Sequence, residues 1–273
     1  MIGAMFHRLI RRRGSAPDPD TWRSVAAGFE FLDHLGTAGL DRLRVLCGQF
    51  LARKQISGAA GFEPDETVRL SIAIQACLPI LHLNLAAYDG FVEIVVYPAR
   101  FLVPLEQVDH AGVVHQSIEA LSGEAIDGGP VVLSWEDTAA EGLDAGMSVV
   151  IHEFVHKLDL LDGLADGIPP LPRARRRRWS EVLERSYQWF VAELDELESL
   201  IPATVDPESP AADHWYRQLP LDPYAATDHA EFFAVAAETF FLEPAILADA
   251  LPEFYRELAL FFRQDPLAGA KEP

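Results

Sequence analysis

The run Ile151-His-Glu-Phe-Val-His156 carries the clearest chemistry in the chain. On a helix, residues four apart lie on one face, so His152 and His156 can offer two imidazole nitrogens to one tetrahedral zinc ion. Glu153 is offset to the same side. There it reaches a water at the metal's open position, acting as general base and then passing the proton to a leaving amine. The plainer alternative is an amphipathic helix with two surface histidines. A catalytic zinc site takes three protein ligands, so a third is needed downstream. His214, His229, Glu231 and Glu238 are the candidates. Glu231 precedes Phe232-Phe-Ala-Val-Ala-Ala237, an apolar face that would press it against the core. A carboxylate is costly there unless paired or on a metal. An ordinary first-turn glutamate favoured by the helix dipole is the alternative. Asp159, three residues after His156, could accept the second ring N–H of a ligand histidine or be a solvated surface aspartate. Glu238, seven residues after Glu231, is a weaker candidate for that supporting role.

These residues need elements to position them. From Trp22 to about Leu51, Phe29, Leu32, Leu35, Leu43, Leu46 and Phe50 recur at helical spacing, with a break at Gly36. A further helix is expected over Asp65 to Leu78, before Pro79. Phe91–Tyr97 and Gly129–Trp135 read as strands, and residues 136–146 as an acidic loop. Helical pattern runs from Ser148 to about Leu161, then Gly163 to Pro172 interrupt it. A long amphipathic helix follows, with Trp179, Leu183, Tyr187, Phe190, Leu194 and Leu197 on one stripe. Its start holds Arg173 and Arg175–Arg178 and its end is acidic, an order that opposes the helix dipole and calls for a local partner for the arginines. Residues 202–223 contain five prolines and read as a loop. Thr227 is expected to cap a helix from Asp228 to Phe241, stopped by Pro244, and a last helix covers Pro252 to Arg263. Helices, then strands, then helices indicate an α+β fold rather than alternating βαβ units.

A formal net charge of -20 over 273 residues excludes a non-specific nucleic-acid binder, which needs clustered Lys and Arg. Cys47 and Cys77 are too few for a disulfide framework and too far apart for a cysteine zinc site, which leaves buried free thiols in a reducing compartment. Arg11–Arg13 follow a short apolar patch, the reverse of a secretory signal, and no apolar run is long enough to span a bilayer. The expectation is a cytoplasmic protein without membrane contact.

Tyr224-Ala-Ala-Thr-Asp-His-Ala-Glu-Phe-Phe-Ala234 resembles the metal-binding segment of the catalytic domain of anthrax lethal factor, where a Tyr lies seven residues before the Glu ligand. The chain as a whole resembles the Mlc titration factor A family of bacterial metallopeptidases. The shared stretches are Ala76-Cys-Leu-Pro-Ile-Leu81, Tyr88-Asp-Gly90, Val96-Tyr-Pro98, Pro130-Val-Val-Leu-Ser-Trp135, Val150 to Asp159 and Tyr224 to Phe241. Pro252-Glu-Phe-Tyr255 and Arg263-Gln-Asp-Pro266 extend them, so the resemblance covers residues 18–266. It implies a single zincin-like metallopeptidase domain of gluzincin type over 18–266, between tails at 1–17 and 267–273. The implied architecture is α+β, with a small mixed sheet, a helix bearing the His-Glu-x-x-His run and additional N-terminal helices.

The resemblance further implies one zinc ion per chain on His152, His156 and Glu231, with Glu153 as general base. Tyr224 would donate its hydroxyl to the oxyanion of the tetrahedral intermediate; a packed aromatic is the alternative. The implied activity is peptidase or aminopeptidase action on short peptides. The alternative is a regulatory protein that sequesters a glucose-responsive transcription repressor of the Mlc type, with catalysis secondary. In peptidases resembling this one, the strand Pro130–Trp135 forms the cleft edge and pairs with substrate backbone; an internal strand is the alternative. Two departures stand out. Ser148 lies where the family often has Asn, and the loop Pro202–Pro223 is long. Neither is expected to touch the ligands. His82 reads as a satisfied core histidine.

Overall fold

Asp18 accepts hydrogen bonds from the amides of Asp20 and Thr21, which opens helix α1, Pro19–Ala26. The computed structural model describes residues 14–108, 114–121, 123–125, 128–139, 147–207 and 209–269. Arg11–Arg13, most of the expected N-terminal tail and the end of the C-terminal one lie outside them. A 3-10 turn, Glu30–Leu35, leads into α2, Gly36–Leu51. Gly36 has φ +59°, a backbone state that costs glycine little, so the residue that breaks the helical pattern is also where the chain redirects into α2.

Strand β1, Gln55–Gly58, and helix α3, Glu66–Cys77, lead to β2, Glu93–Tyr97. β1 and β2 pair in parallel, with Ile56 opposite Ile94. The two strands and α3 thus form one βαβ unit inside the expected α+β order. The sequence hid it because Gln55-Ile-Ser-Gly58 is short and mostly polar, with too little alternation to read as a strand. β3, Phe101–Val108, and β4, Val114–Leu121, form a separate antiparallel pair that the sequence reading passed over. β5, Gly123–Ala125, and β6, Val131–Ser134, complete the main sheet in the order β1-β2-β6-β5. Its first three strands are parallel and β5 is antiparallel, a small mixed sheet. Trp135, expected at the end of a strand, instead starts the one-turn helix α4, Trp135–Thr138. Residues 140–146 of the expected loop lie outside the described residues.

α5, Val149–Asp159, carries the His-Glu-x-x-His run. Ser148 caps it, accepting from the Ile151 amide at 3.1 Å. α6 spans Arg173–Leu200, and a short helix, α7, Asp213–Tyr216, lies within the proline-rich stretch. α8, His229–Leu242, is capped by Asp228 rather than by the expected Thr227: its carboxylate accepts from the amides of Ala230 and Glu231. Pro244 ends α8 and at the same time opens α9, Pro244–Ala250, because the first helical turn needs no amide from it. α10, Pro252–Phe262, and the short α11, Pro266–Gly269, follow.

α8 is buried all round between Phe232 and Phe241, as an apolar helix at the centre of a core must be. Trp179 of α6 packs edge-on against Phe233 and Phe254, with centroids 5.4 and 5.7 Å away. On the other side of the core, Phe154 of α5 meets Tyr88 at 5.0 Å. The arginines at the start of α6 find their partners here. Arg175 pairs with Glu257 at 3.1 Å and Arg178 with Glu253 at 3.3 Å, both on α10, and Arg176 faces Asp162 at 3.6 Å. Docking to an acidic neighbour, not the helix dipole, accounts for their position. Cys47 and Cys77 are buried free thiols. Among the described residues no helix is long and apolar enough to cross a membrane.

Asp159 ends α5 fully buried, which corrects the reading of it as a solvated aspartate. One oxygen accepts from the Gly167 amide at 2.8 Å and the other, Oδ1, has no partner among the described residues. Burial raises its pKa from 3.8 to about 7. The unfolded chain would release this proton near pH 4 and the folded chain near pH 7, so this group's contribution to stability falls as pH rises through that window. Asp159→Asn should therefore be more stable than the native sequence at pH 8, by on the order of a few kcal/mol at most. The gain should shrink toward zero near pH 4. Urea midpoints of both proteins, measured with chelator at the two pH values, check this; a gain of equal size at both would contradict it.

Candidate metal centre

α5 and α8 pack face to face, which sets one turn of each against the other. On α5 the rings of His152 and His156 meet edge-on one turn apart, with centroids 4.7 Å apart and Nε2 atoms 3.0 Å apart. From α8, Glu231 Oε2 stands 3.0 Å from His152 Nε2 and 3.2 Å from His156 Nε2. Two nitrogens and one carboxylate oxygen thus converge on a point. Ligand atoms around a tetrahedral zinc with bonds near 2.0–2.1 Å stand about 3.3 Å apart, so the donor set and its spacing fit that ion. Among the described residues this is the one group of three such side chains close enough to share a metal. Of the other candidates for third ligand, His214 bonds the Ala211 carbonyl at 3.0 Å and His229 pairs with Glu184 at 2.9 Å. Neither joins the group.

Glu238 has a different place. Its Oε1 lies 2.8 Å from His152 Nδ1 and its Oε2 accepts from the Ser148 amide at 2.6 Å. An N–H on Nδ1 leaves the Nε2 lone pair for a metal. The Ser148 hydroxyl donates in turn to Gln75 Oε1 at 2.7 Å, inside the core. A buried polar chain thus runs from α3 through the cap of α5 to the ring of His152. The supporting role expected first of Asp159 falls to Glu238. Asp159 points from the far end of α5 toward Gly167, whereas Glu238 shares a face of α8 with Glu231. Ser148, expected to stand clear of the site, reaches it through this one carboxylate. His82 is half-buried with no hydrogen bond to its ring among the described residues, so it is not a satisfied core histidine; burial lowers its pKa, and Arg42 and Arg263 lower it further.

Glu153 is buried beside the edge strand. A Cβ on Gly123 of β5 would come within 2.5 Å of Glu153 Oε1, so only glycine permits this approach. Among the described residues β5, not β6, lies at this edge of the sheet: β6 is paired on both sides, by β2 and β5. Three residues, Gly-Glu-Ala, are too few for a strand to be read from sequence.

The electrostatics of the group favour a cation. Burial alone would lower the His152 pKa, but hydrogen bonds to Glu231 and Glu238 outweigh it and hold it well above the usual value. Burial would raise that of Glu231, but its bonds to both histidines bring it down to about 2. Burial lifts Glu153 to about 7 against the opposing pull of His152 and His156. The carboxylates that favour a proton on His152 would equally favour a metal ion. Tyr224 lies on a 3-10 turn, Pro223–Ala226, fixed by the bond from its amide to Asp222 at 2.9 Å. Its ring is 6.0 Å from that of His152 and it is 51% exposed, which places it at the mouth of the site rather than packed in the core.

The family described as glucose-regulated metallo-peptidase M90 matches residues 6–263. Mlc titration factor A of Serratia proteamaculans is 36% identical over 248 residues, 90% of this chain and 88% of that protein. Mlc titration factor A of Klebsiella pneumoniae is 34% identical over 260 residues, covering 95% and 91%. The protein of that name from Salmonella typhi is 37% identical over 226 residues, covering 82% and 79%.

The chain through Glu238 makes a specific demand on metal binding. Glu238→Gln should weaken it by roughly 10–100-fold, the range for losing a carboxylate behind a ligand histidine. Competition with a chromophoric chelator measures this; an unchanged affinity would show that Glu238 does not orient His152.

Proposed function

The chain belongs to the M90 family of glucose-regulated metallo-peptidases, and from that footing we propose that it hydrolyses peptide bonds at one zinc ion held by His152, His156 and Glu231. The observation that carries the reading is the convergence of three donor atoms within 3.0–3.2 Å beside a buried Glu153. Zinc bound there supplies Lewis acidity toward a peptide carbonyl and lowers the pKa of a water. Glu153 removes the proton from the attacking water and delivers it to the departing amine. A carboxylate that must both take and release a proton works best with a pKa near the working pH, and burial moves Glu153 in that direction, to about 7. Tyr224 donates its hydroxyl to the oxyanion from the mouth of the site. The outer edge of β5 offers backbone groups to an extended peptide, which positions the bond to be cut above Glu153. The fold is then that of a zincin-like, gluzincin-type domain, and aminopeptidase-like action on short peptides is its finer form.

A second reading comes from the relatives, which carry the name Mlc titration factor A. By that reading the chain binds a repressor of the Mlc type and catalysis is secondary. Both readings suit a cytoplasmic protein, and one experiment separates them. Glu153→Gln should keep one zinc per chain and lose turnover on peptides by roughly a hundredfold or more. Equal turnover in the two proteins would rule out Glu153 as the base. Capture of an Mlc-type repressor by the inactive variant would make binding independent of hydrolysis.

A further inference from the structure

A cavity of about 710 Å³ opens between α8, the segment Leu219–Pro223 and Met147. It shares walls with the metal centre. Val235 in its lining is one helical turn from Glu231, Glu238 in its lining holds His152, and Pro223 immediately precedes Tyr224. Leu219, Leu221 and Val235 contribute apolar surface to its lining. Met147 and Ile246 line it too, 40% and 43% exposed, large apolar side chains left open to water as at a binding surface. The charges are unbalanced. Glu238 is committed to His152 and the Ser148 amide. Of the rest, among the described lining residues, Asp213, Asp222 and Glu243 stand against Arg217 alone, an excess of two negative charges.

We propose that this cavity takes the side chain of a substrate residue flanking the cleaved bond, and that it selects a basic one, lysine or arginine. This rests on the peptidase reading above. An aliphatic stem lies along the apolar wall while the cationic tip reaches the exposed carboxylates, the way long basic side chains divide themselves between apolar surface and water. A glutamate in the same place would bring a third excess negative charge to the cavity. A small side chain would leave most of the apolar wall uncovered.

The test uses full-length, zinc-loaded protein and peptides identical except for one residue beside the cleaved bond, set to lysine, norleucine or glutamate. Each peptide is assayed with a free and with an acetylated N-terminus. The expected order of kcat/KM is lysine, norleucine, glutamate, with about tenfold or more between the extremes at low ionic strength. Salt should narrow that ratio, because the carboxylates are solvent-exposed. In the double variant Asp213→Asn, Glu243→Gln the ratio of lysine to norleucine should fall toward one. Three results would overturn the proposal: lysine and glutamate cleaved alike, glutamate preferred with the preference removed by Arg217→Ala, or discrimination that follows the free N-terminus and not the side chain. Cleavage without discrimination sinks the pocket alone. Failure to cleave any peptide sinks the hydrolytic reading and the pocket with it.

Discussion

Two imidazole nitrogens and a carboxylate oxygen held about 3 Å apart in a half-dry cleft are stable only around positive charge, and the rest of the structure serves to hold them there. His152 and His156 need nothing more than consecutive turns of one helix. Glu231 must be brought to them from a second helix, and its register is set by burial. α8 is buried on every side from Phe232 to Phe241, so a shift along its axis would misplace Phe232, Phe233, Phe240 and Phe241 together. Asp228 pins the start of that helix two residues before Ala230 and three before Glu231. The register of the candidate metal centre is therefore tied to the core behind it.

The same packing gives two glutamates opposite characters. Glu231 meets two imidazoles directly and its pKa falls to about 2; Glu153, one residue from His152, is buried without such bonds and rises to about 7. One stays a carboxylate throughout the physiological range, as the ligand role proposed for it requires. The other sits where it can exchange a proton. Environment, not residue type, divides the two proposed roles. Glu238 completes the arrangement by fixing which nitrogen of His152 carries hydrogen, and it is itself tethered to the capped end of α5.

Much of this was legible in the sequence, for reasons that can be named. His152, Glu153 and His156 advertise themselves because helical spacing alone puts them on one side. Glu231 is visible as a charge in front of an apolar run. Glu238 is harder, because its importance depends on how α8 docks on α5 and on the position of Ser148, 90 residues away in the chain. Asp159 misleads for the opposite reason. Its spacing suits a partner for His156, but the turn to Gly167 claims its carboxylate. The sheet was half seen. β2 and β6 are rich in β-branched residues, while β1 and β5 are short, polar or glycine-containing and exist because a neighbour pairs with them. That is why β6, read as either a cleft edge or an internal strand, proves internal, with β5 beyond it among the described residues. The arginines of α6 contradicted the dipole rule until Glu253 and Glu257 of α10 came into contact with them.

The central claim is that His152, His156 and Glu231 hold one metal ion between α5 and α8. X-ray absorption on the zinc-loaded protein, paired with zinc content after dialysis for the native sequence and for Glu231→Ala, tests it most directly. One zinc per chain with two nitrogen ligands and a carboxylate oxygen near 2.0–2.2 Å, lost on dialysis from Glu231→Ala, is the predicted result. Stoichiometric zinc retained equally by Glu231→Ala, or no zinc in the native protein, would contradict it.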